Sequence, residues 1–179
     1  MGSWRDERGF TLVDLLVAFA VLLLALAAIT TIHQSVLQAY VAGSNKTEVQ
    51  QNARVALERV ARELRQTSGA LTAATATSLT FVDQNTGVAV TYGLTGTAPH
   101  ATLDRTTGGV PNVVIGNVQT LAFAYRNVND AVLAAPVGTP ANVFRVDITI
   151  QTGSEDTVVA GGIADTRTEL TTSVRLRNL

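Results

Sequence analysis

The chain has 179 residues, 46% of them hydrophobic, and a formal net charge of -1. That composition excludes a mainly disordered chain, and the near-neutral charge excludes a generally basic nucleic-acid binder. The absence of cysteine excludes disulfides and thiolate metal sites.

Met1–Gly9 opens the chain with Arg5 and Arg8 offset by Asp6 and Glu7. From Leu15 to Ile29 every residue is apolar, and with Phe10–Asp14 before and Thr30–Ile32 after, the span reaches 23 residues. As a helix it measures about 34 Å, enough to cross a bilayer core. Ten of the fifteen central residues are Leu, Val, Ile or Phe. Together they favour insertion by about 4 kcal/mol. That outweighs an acidic residue near one end, so the segment inserts despite Asp14.

Three readings of this segment compete. One is a signal peptide, with Ala25-Leu26-Ala27 as a small-x-small cleavage site. Another is a plain membrane anchor. Neither accounts for Asp14 or for Gly9 followed by Phe10. The third does: Gly9-Phe10-Thr11-Leu12-Val13-Asp14 resembles the prepilin processing site of type IV pilins and type II secretion pseudopilins, where an acidic residue follows the glycine by five positions.

The resemblance implies cleavage after Gly9 by a prepilin peptidase and methylation of the new Phe10 amine. It also implies an assembly role for Asp14, paired with a Phe10 amine of the same or a neighbouring subunit. Asp14 stands where the family usually has Glu. The proline that many major pilins carry is absent from Ala28-Ile29-Thr30-Thr31.

Further along, Val49, Ala53, Ala56, Leu57, Val60, Ala61 and Leu64 form an apolar stripe at helical period. Arg54, Glu58 and Arg62, and Arg59 with Glu63, fall four apart on what reads as a solvated face. Gly43-Ser44-Asn45 interrupts the pattern, and Thr47-Glu48-Val49-Gln50 reads as a capping box that restarts it. Gly69 is the expected C-cap. One helix is therefore expected from about Phe10 to Ser68, weakened or bent near Gly43.

Beyond Gly69 the period becomes two. Leu121, Phe123 and Tyr125 alternate with small or polar residues, as do Phe144, Val146, Ile148 and Ile150, and Leu170, Thr172, Val174 and Leu176. Shorter strands are expected at Ser78–Val82 and Val88–Tyr92. Turns are expected at Asp83–Gly87, Asn127–Asp130 and Gly153–Asp156. Ala70–Thr77 and Gly93–Pro111 read as irregular, with Gly108-Gly109 as a turn.

The order of "ALERVARELRQTSG", "VQTLAFAYRN" and "SVRLRNL" resembles the J-type minor pseudopilins and W-type minor pilins. The fold class expected is α+β, a long N-terminal helix packed on antiparallel β-sheet. The expected division is a leader at 1–9, a transmembrane and filament-core helix at 10–32, its amphipathic continuation at 33–68 and a β-rich domain at 69–179.

Nothing in the sequence has the pattern of a catalytic centre or cofactor site. His33 and His100 lack partners at metal spacing. Asp83–Gly87 begins like a calcium loop, but Leu94 stands where its closing Glu is needed. Arg175 and Arg177 share a strand face that is more simply solvated, with contact to nucleic acid as the alternative. The family resemblance implies a structural subunit that assembles into or primes a type IV pilus or secretion pseudopilus. Its partners would be the prepilin peptidase, other major and minor subunits, the inner-membrane assembly platform and membrane lipid. Its amino terminus would be cytoplasmic and its globular part extracytoplasmic, then in the filament. The competing class is a secreted or membrane-anchored binding module or enzyme.

Overall fold

The computed structural model describes residues 11–67, 69–153 and 167–176. The chain divides between Ala42 and Gly43 into two units. Helix α1, Leu12–Arg65, contributes to both.

In the first unit, every residue from Thr11 to Val41 is exposed. Apolar side chains point outward all round the helix, from Leu15, Leu16 and Phe19 through Leu22, Leu23 and Leu26. A helix that is apolar on every side needs an apolar surrounding. Its few hydroxyls turn inward: Thr30 Oγ1 donates to Ala27 O (2.9 Å), Thr31 Oγ1 to Ala27 O (2.7 Å) and Ser35 Oγ to Thr31 O (3.0 Å). Such back-bonding removes the need for water.

The second unit holds the remainder of α1 and an eight-stranded antiparallel sheet. The strands are β1 (Ala73–Ala74), β2 (Ser78–Val82), β3 (Ala89–Thr95), β4 (Ala101–Thr107), β5 (Val110–Arg126), β6 (Val132–Leu133), β7 (Arg145–Thr152) and β8 (Thr168–Arg175). The sheet order is β1-β2-β3-β4-β5-β7-β8, with β6 also on β5. The α+β class is therefore as the sequence predicts. Ala53, Ala56, Leu57, Val60, Ala61 and Leu64 of the helical stripe are all buried against the inner sheet face. Val49, at the end of the stripe, is half-buried.

The alternating strands land as expected, with Val146, Ile148 and Ile150 fully buried. Phe81 and Tyr92 stack with ring centroids 6.3 Å apart. The Tyr125 hydroxyl donates to Thr75 O (2.7 Å), tying β5 to the β1–β2 turn. Burial raises the pKa of this hydroxyl well above the usual tyrosine value, so it remains a donor.

Four expectations need correction. First, the helix runs unbroken through Gly43 to Asn45. Thr47 does not restart it: its hydroxyl bonds back to Gly43 O (3.0 Å), a mid-helix habit of threonine. A single glycine costs a helix only about 1 kcal/mol, too little to end one with long flanks. Second, α1 ends at Arg65, four residues before Gly69, too early for Gly69 to be its C-cap.

Third, Gly93–Pro111 is not irregular, since it contains β4 and the start of β5. Register shifts at Ala101/Leu103 and Leu103/Asp104 break the period-two pattern there. Threonine supplies strand propensity where apolar residues are few. Within the stretch, Gly108-Gly109 does form the turn, with φ of 59° and 82°, as a two-residue hairpin demands. Fourth, Ala70–Thr77 includes the two-residue β1.

Of the other turns, Asp83–Gly87 joins β2 to β3. Asp83 Oδ1 accepts from Asn85 N (3.1 Å) and Oδ2 from Thr86 Oγ1 (2.8 Å). Asn127–Asp130 is closed by Asn127 Oδ1, which accepts from Asn129 N (2.9 Å) and Ala131 N (3.0 Å). The expected turn at Gly153–Asp156 lies, beyond Gly153, outside the described residues.

Candidate functional site

The residues singled out for processing and assembly are Gly9, Phe10 and Asp14. Gly9 and Phe10 lie outside the described residues. Asp14 is described, and its geometry shows something the sequence reading missed. Helix α1 starts at Leu12, so Thr11 is the N-cap and Asp14 the third helical residue. Thr11 N donates to Asp14 Oδ2 (3.1 Å), and Asp14 N donates back to Thr11 Oγ1 (3.3 Å). The Thr11 hydroxyl donates to the same Oδ2 (2.7 Å). This is a reciprocal capping box with Asp in place of the usual Glu or Gln.

The position suits a carboxylate for a general reason. The first turn of a helix leaves N–H groups unpaired and carries the positive end of the helix dipole. A negative charge at its third residue satisfies one such donor and faces that field. Both Thr11 bonds fall on Oδ2, leaving Oδ1 with no hydrogen-bond partner among the described residues. The signal was in the sequence: Thr-x-x-Asp immediately before an apolar run is a capping pattern.

The apolar helix that follows has a most hydrophobic 18-residue window of mean hydropathy 2.9, none of it buried. From Leu12 to Ile32 it spans about 31 Å at 1.5 Å per residue. By length and composition, it is a candidate membrane span.

In the second unit the charges on α1 do not all behave as a solvated face. Arg54 and Glu58 pair at 3.3 Å and are exposed, as the spacing predicts. Glu63 differs. It receives Arg59 Nε at 3.4 Å from its own helix and Arg105 Nε at 2.8 Å from β4. The hydrogen bond to Glu63 is the main reason the Arg105 guanidinium holds its proton even more firmly than usual. Arg105 also donates to Thr107 Oγ1. Glu63 thus joins helix to sheet, which helical spacing cannot reveal because Arg105 lies 42 positions away.

A second charged cluster sits on β5 and β7. Asp147 Oδ2 accepts from Arg126 Nε (3.1 Å) and Arg145 Nη2 (3.3 Å), and Arg145 Nη1 lies 2.7 Å from Asp130 Oδ1. Burial pushes the Asp147 pKa up. The hydrogen bonds from Ser173, Arg126 and Arg145 outweigh this, and the net direction is down. Arg175 lies over the Phe144 ring, 6.0 Å from its centroid, and Arg177 lies outside the described residues. His33 is exposed on α1, and His100 Nδ1 stands 3.5 Å from Asn117 Oδ1. No group of three potential metal ligands occurs among the described residues.

Residues 4–30 match a family model described as the prokaryotic N-terminal methylation motif. Among solved structures, the chain aligns with a type IV-like pilin from Thermus thermophilus at 14% identity and a TM-score of 0.47, covering 73% of this chain and 97% of that one. No curated protein matches. The N-terminus therefore carries the prepilin-type methylation motif, and it leads into an exposed apolar helix.

Proposed function

We propose that this chain is a minor pilin or pseudopilin, a structural subunit that assembles into or primes a type IV pilus or a type II secretion pseudopilus. One observation carries the reading. The methylation motif over residues 4–30 coincides with a helix start at Leu12, an unburied apolar helix and a carboxylate held at that helix's third residue. A signal peptide or plain anchor needs only the apolar helix.

On this reading a prepilin peptidase removes residues 1–9 and Phe10 becomes the methylated amino terminus. Residues 10–32 anchor the subunit in the cytoplasmic membrane, amino terminus inward, and later pack in the filament core. Exchanging lipid for neighbouring helices costs little, because both surroundings are apolar. Residues 33–68 continue the helix, and residues 69–179 form the extracytoplasmic globular part. The Oδ1 of Asp14, which has no partner among the described residues, is the atom suited to accept from a Phe10 ammonium. The Thr11 cap and that ion pair use different oxygens and do not compete. The partners are other pilin or pseudopilin subunits and the inner-membrane assembly platform.

The lack of proline in α1 favours a minor over a major subunit. Intact-mass analysis of membrane-extracted protein tests the processing: the expected mature chain begins at methylated Phe10. A terminus at Ala28, or an uncut Met1, would refute the pilin-like reading. Immunogold labelling tests placement, with label expected at filament ends and not uniformly along their length.

A further inference from the structure

We infer that the edge of β8, unpaired among the described residues, together with the α1 face beside it, is a docking groove for an extended acidic strand from a partner protein. A groove of about 800 Å³ runs along this edge. Helix α1 lines it with Arg54, Leu57, Glu58, Ala61, Arg62 and Arg65. Strand β8 lines it with three consecutive residues, Leu170, Thr171 and Thr172. Successive side chains of a strand point to opposite faces. Three in a row can therefore line one groove only along the strand's edge, where backbone N–H and C=O groups lie.

Among the described residues, that edge has little of the usual protection. Natural sheets guard their edges with short strands, prolines, lysines or bulges. The opposite edge, β1, is two residues long. β8 has eight residues, no proline and no lysine, its two charges, Glu169 and Arg175, lie near its two ends, and it pairs with β7 in unbroken register from Thr152↔Thr168 to Arg145↔Arg175. Both β4–β5 and β5–β7 contain register shifts. Among the described residues, β8 ends the sheet. A regular, unguarded edge of this length can add a strand.

Charge selects the occupant. Arg54 is neutralised by Glu58 at 3.3 Å. Arg62 and Arg65 make no ion pair among the described residues, so this side of the groove is net positive. Leu57 and Ala61 are buried in the core beneath the groove, so the half-buried Leu170 is the apolar side chain at its surface. The fitting ligand is extended, with alternating apolar and acidic residues, its backbone completing β8 and its carboxylates reaching Arg62 and Arg65. A second copy docked edge to edge would present the same positive helix face and fits less well. On the filament reading the partner is a neighbouring subunit, but the groove does not depend on the processing motif.

The test uses the full chain in detergent and a fluorescent synthetic peptide as long as β8, alternating valine and glutamate. Fluorescence polarisation measures binding, and hydrogen exchange follows amides 168–175. The peptide is expected to bind saturably and to slow exchange in β8. Arg62→Glu with Arg65→Glu, both exposed, should weaken it about tenfold, and Arg62→Lys with Arg65→Lys should largely preserve it. A lysine-for-glutamate peptide and a backbone N-methylated peptide should both bind at least about tenfold more weakly. Absence of binding, or equal binding of the N-methylated peptide, overturns the proposal. So does concentration-dependent protection of β8 without peptide, which would put a second copy in the groove. None of these outcomes bears on the mass of the mature chain.

Discussion

Replacing Glu63 by alanine removes the carboxylate that joins α1 to Arg105 of β4. Arg105 Nε lies 2.8 Å from it, and the two side chains are about one-fifth exposed, at 21% and 20%. Opposite unit charges about 4 Å apart attract by about 4 kcal/mol at an effective dielectric of about 20. Desolvation and residual screening offset much of that. Exposed pairs contribute about 0.2–1 kcal/mol, whereas losing one partner of a buried pair costs about 3–5 kcal/mol. Intermediate burial places Glu63→Ala near 2 kcal/mol, with Arg59 losing a weaker contact at 3.4 Å. The assay is a double-mutant cycle with Arg105→Ala, using urea unfolding followed by near-ultraviolet circular dichroism of the buried Tyr92 and Tyr125. The double variant should be destabilised by about 1.5 kcal/mol less than the sum of the single ones. A coupling below about 0.3 kcal/mol would mean that Glu63 is only part of a solvated helix face, and the clamp argument would fail.

Three further outcomes are expected. Leu64→Ala, at a fully buried position, should cost the second unit about 2–5 kcal/mol in urea unfolding, while Leu37→Ala, 51% exposed, should leave that transition within about 0.5 kcal/mol. Because the pKa of Asp147 is depressed by folding, its stabilisation is present above the ordinary value of 3.8 and is lost as pH falls through the lower folded value. Asp147→Asn should therefore be less stable than the parent near neutral pH and lose less stability on acidification. Asp14→Ala should leave cleavage and membrane insertion intact but abolish incorporation into filaments, with Asp14→Glu mild. If Thr11→Ala, which keeps the charge and removes the cap, produces the same defect, then Asp14 acts only as a helix cap.

Much was legible in the sequence because it depends on local pattern. Fifteen uninterrupted apolar residues before a polar chain can satisfy themselves only in an apolar surrounding. The helical stripe from Ala53 to Leu64 and the alternation from Val146 to Ile150 repeat at the periods of their elements. The Gly9-Phe10 pair and Asp14 are a sequence motif, and its match over residues 4–30 needs no fold at all. Where the reading failed, competing local signals had similar strength. Gly43 and the Thr47 pattern suggest a break, but long flanking turns of helix outweigh a cost of about 1 kcal/mol. In β4, register shifts remove the alternation that would announce a strand.

What only the tertiary structure decided is everything that joins distant positions. Glu63 has the same i,i+4 spacing as Glu58, yet one carboxylate clamps helix to sheet and the other faces water. The difference is the placement of Arg105, 42 residues on. The strand order likewise decides which backbone stays unpaired. β7 and β8 both alternate in sequence, but β7 lies between β5 and β8 while β8, among the described residues, ends the sheet. Side-chain period shows which residues face the core. It carries no information about which neighbour, if any, accepts a strand's hydrogen bonds, because every strand offers the same backbone donors and acceptors.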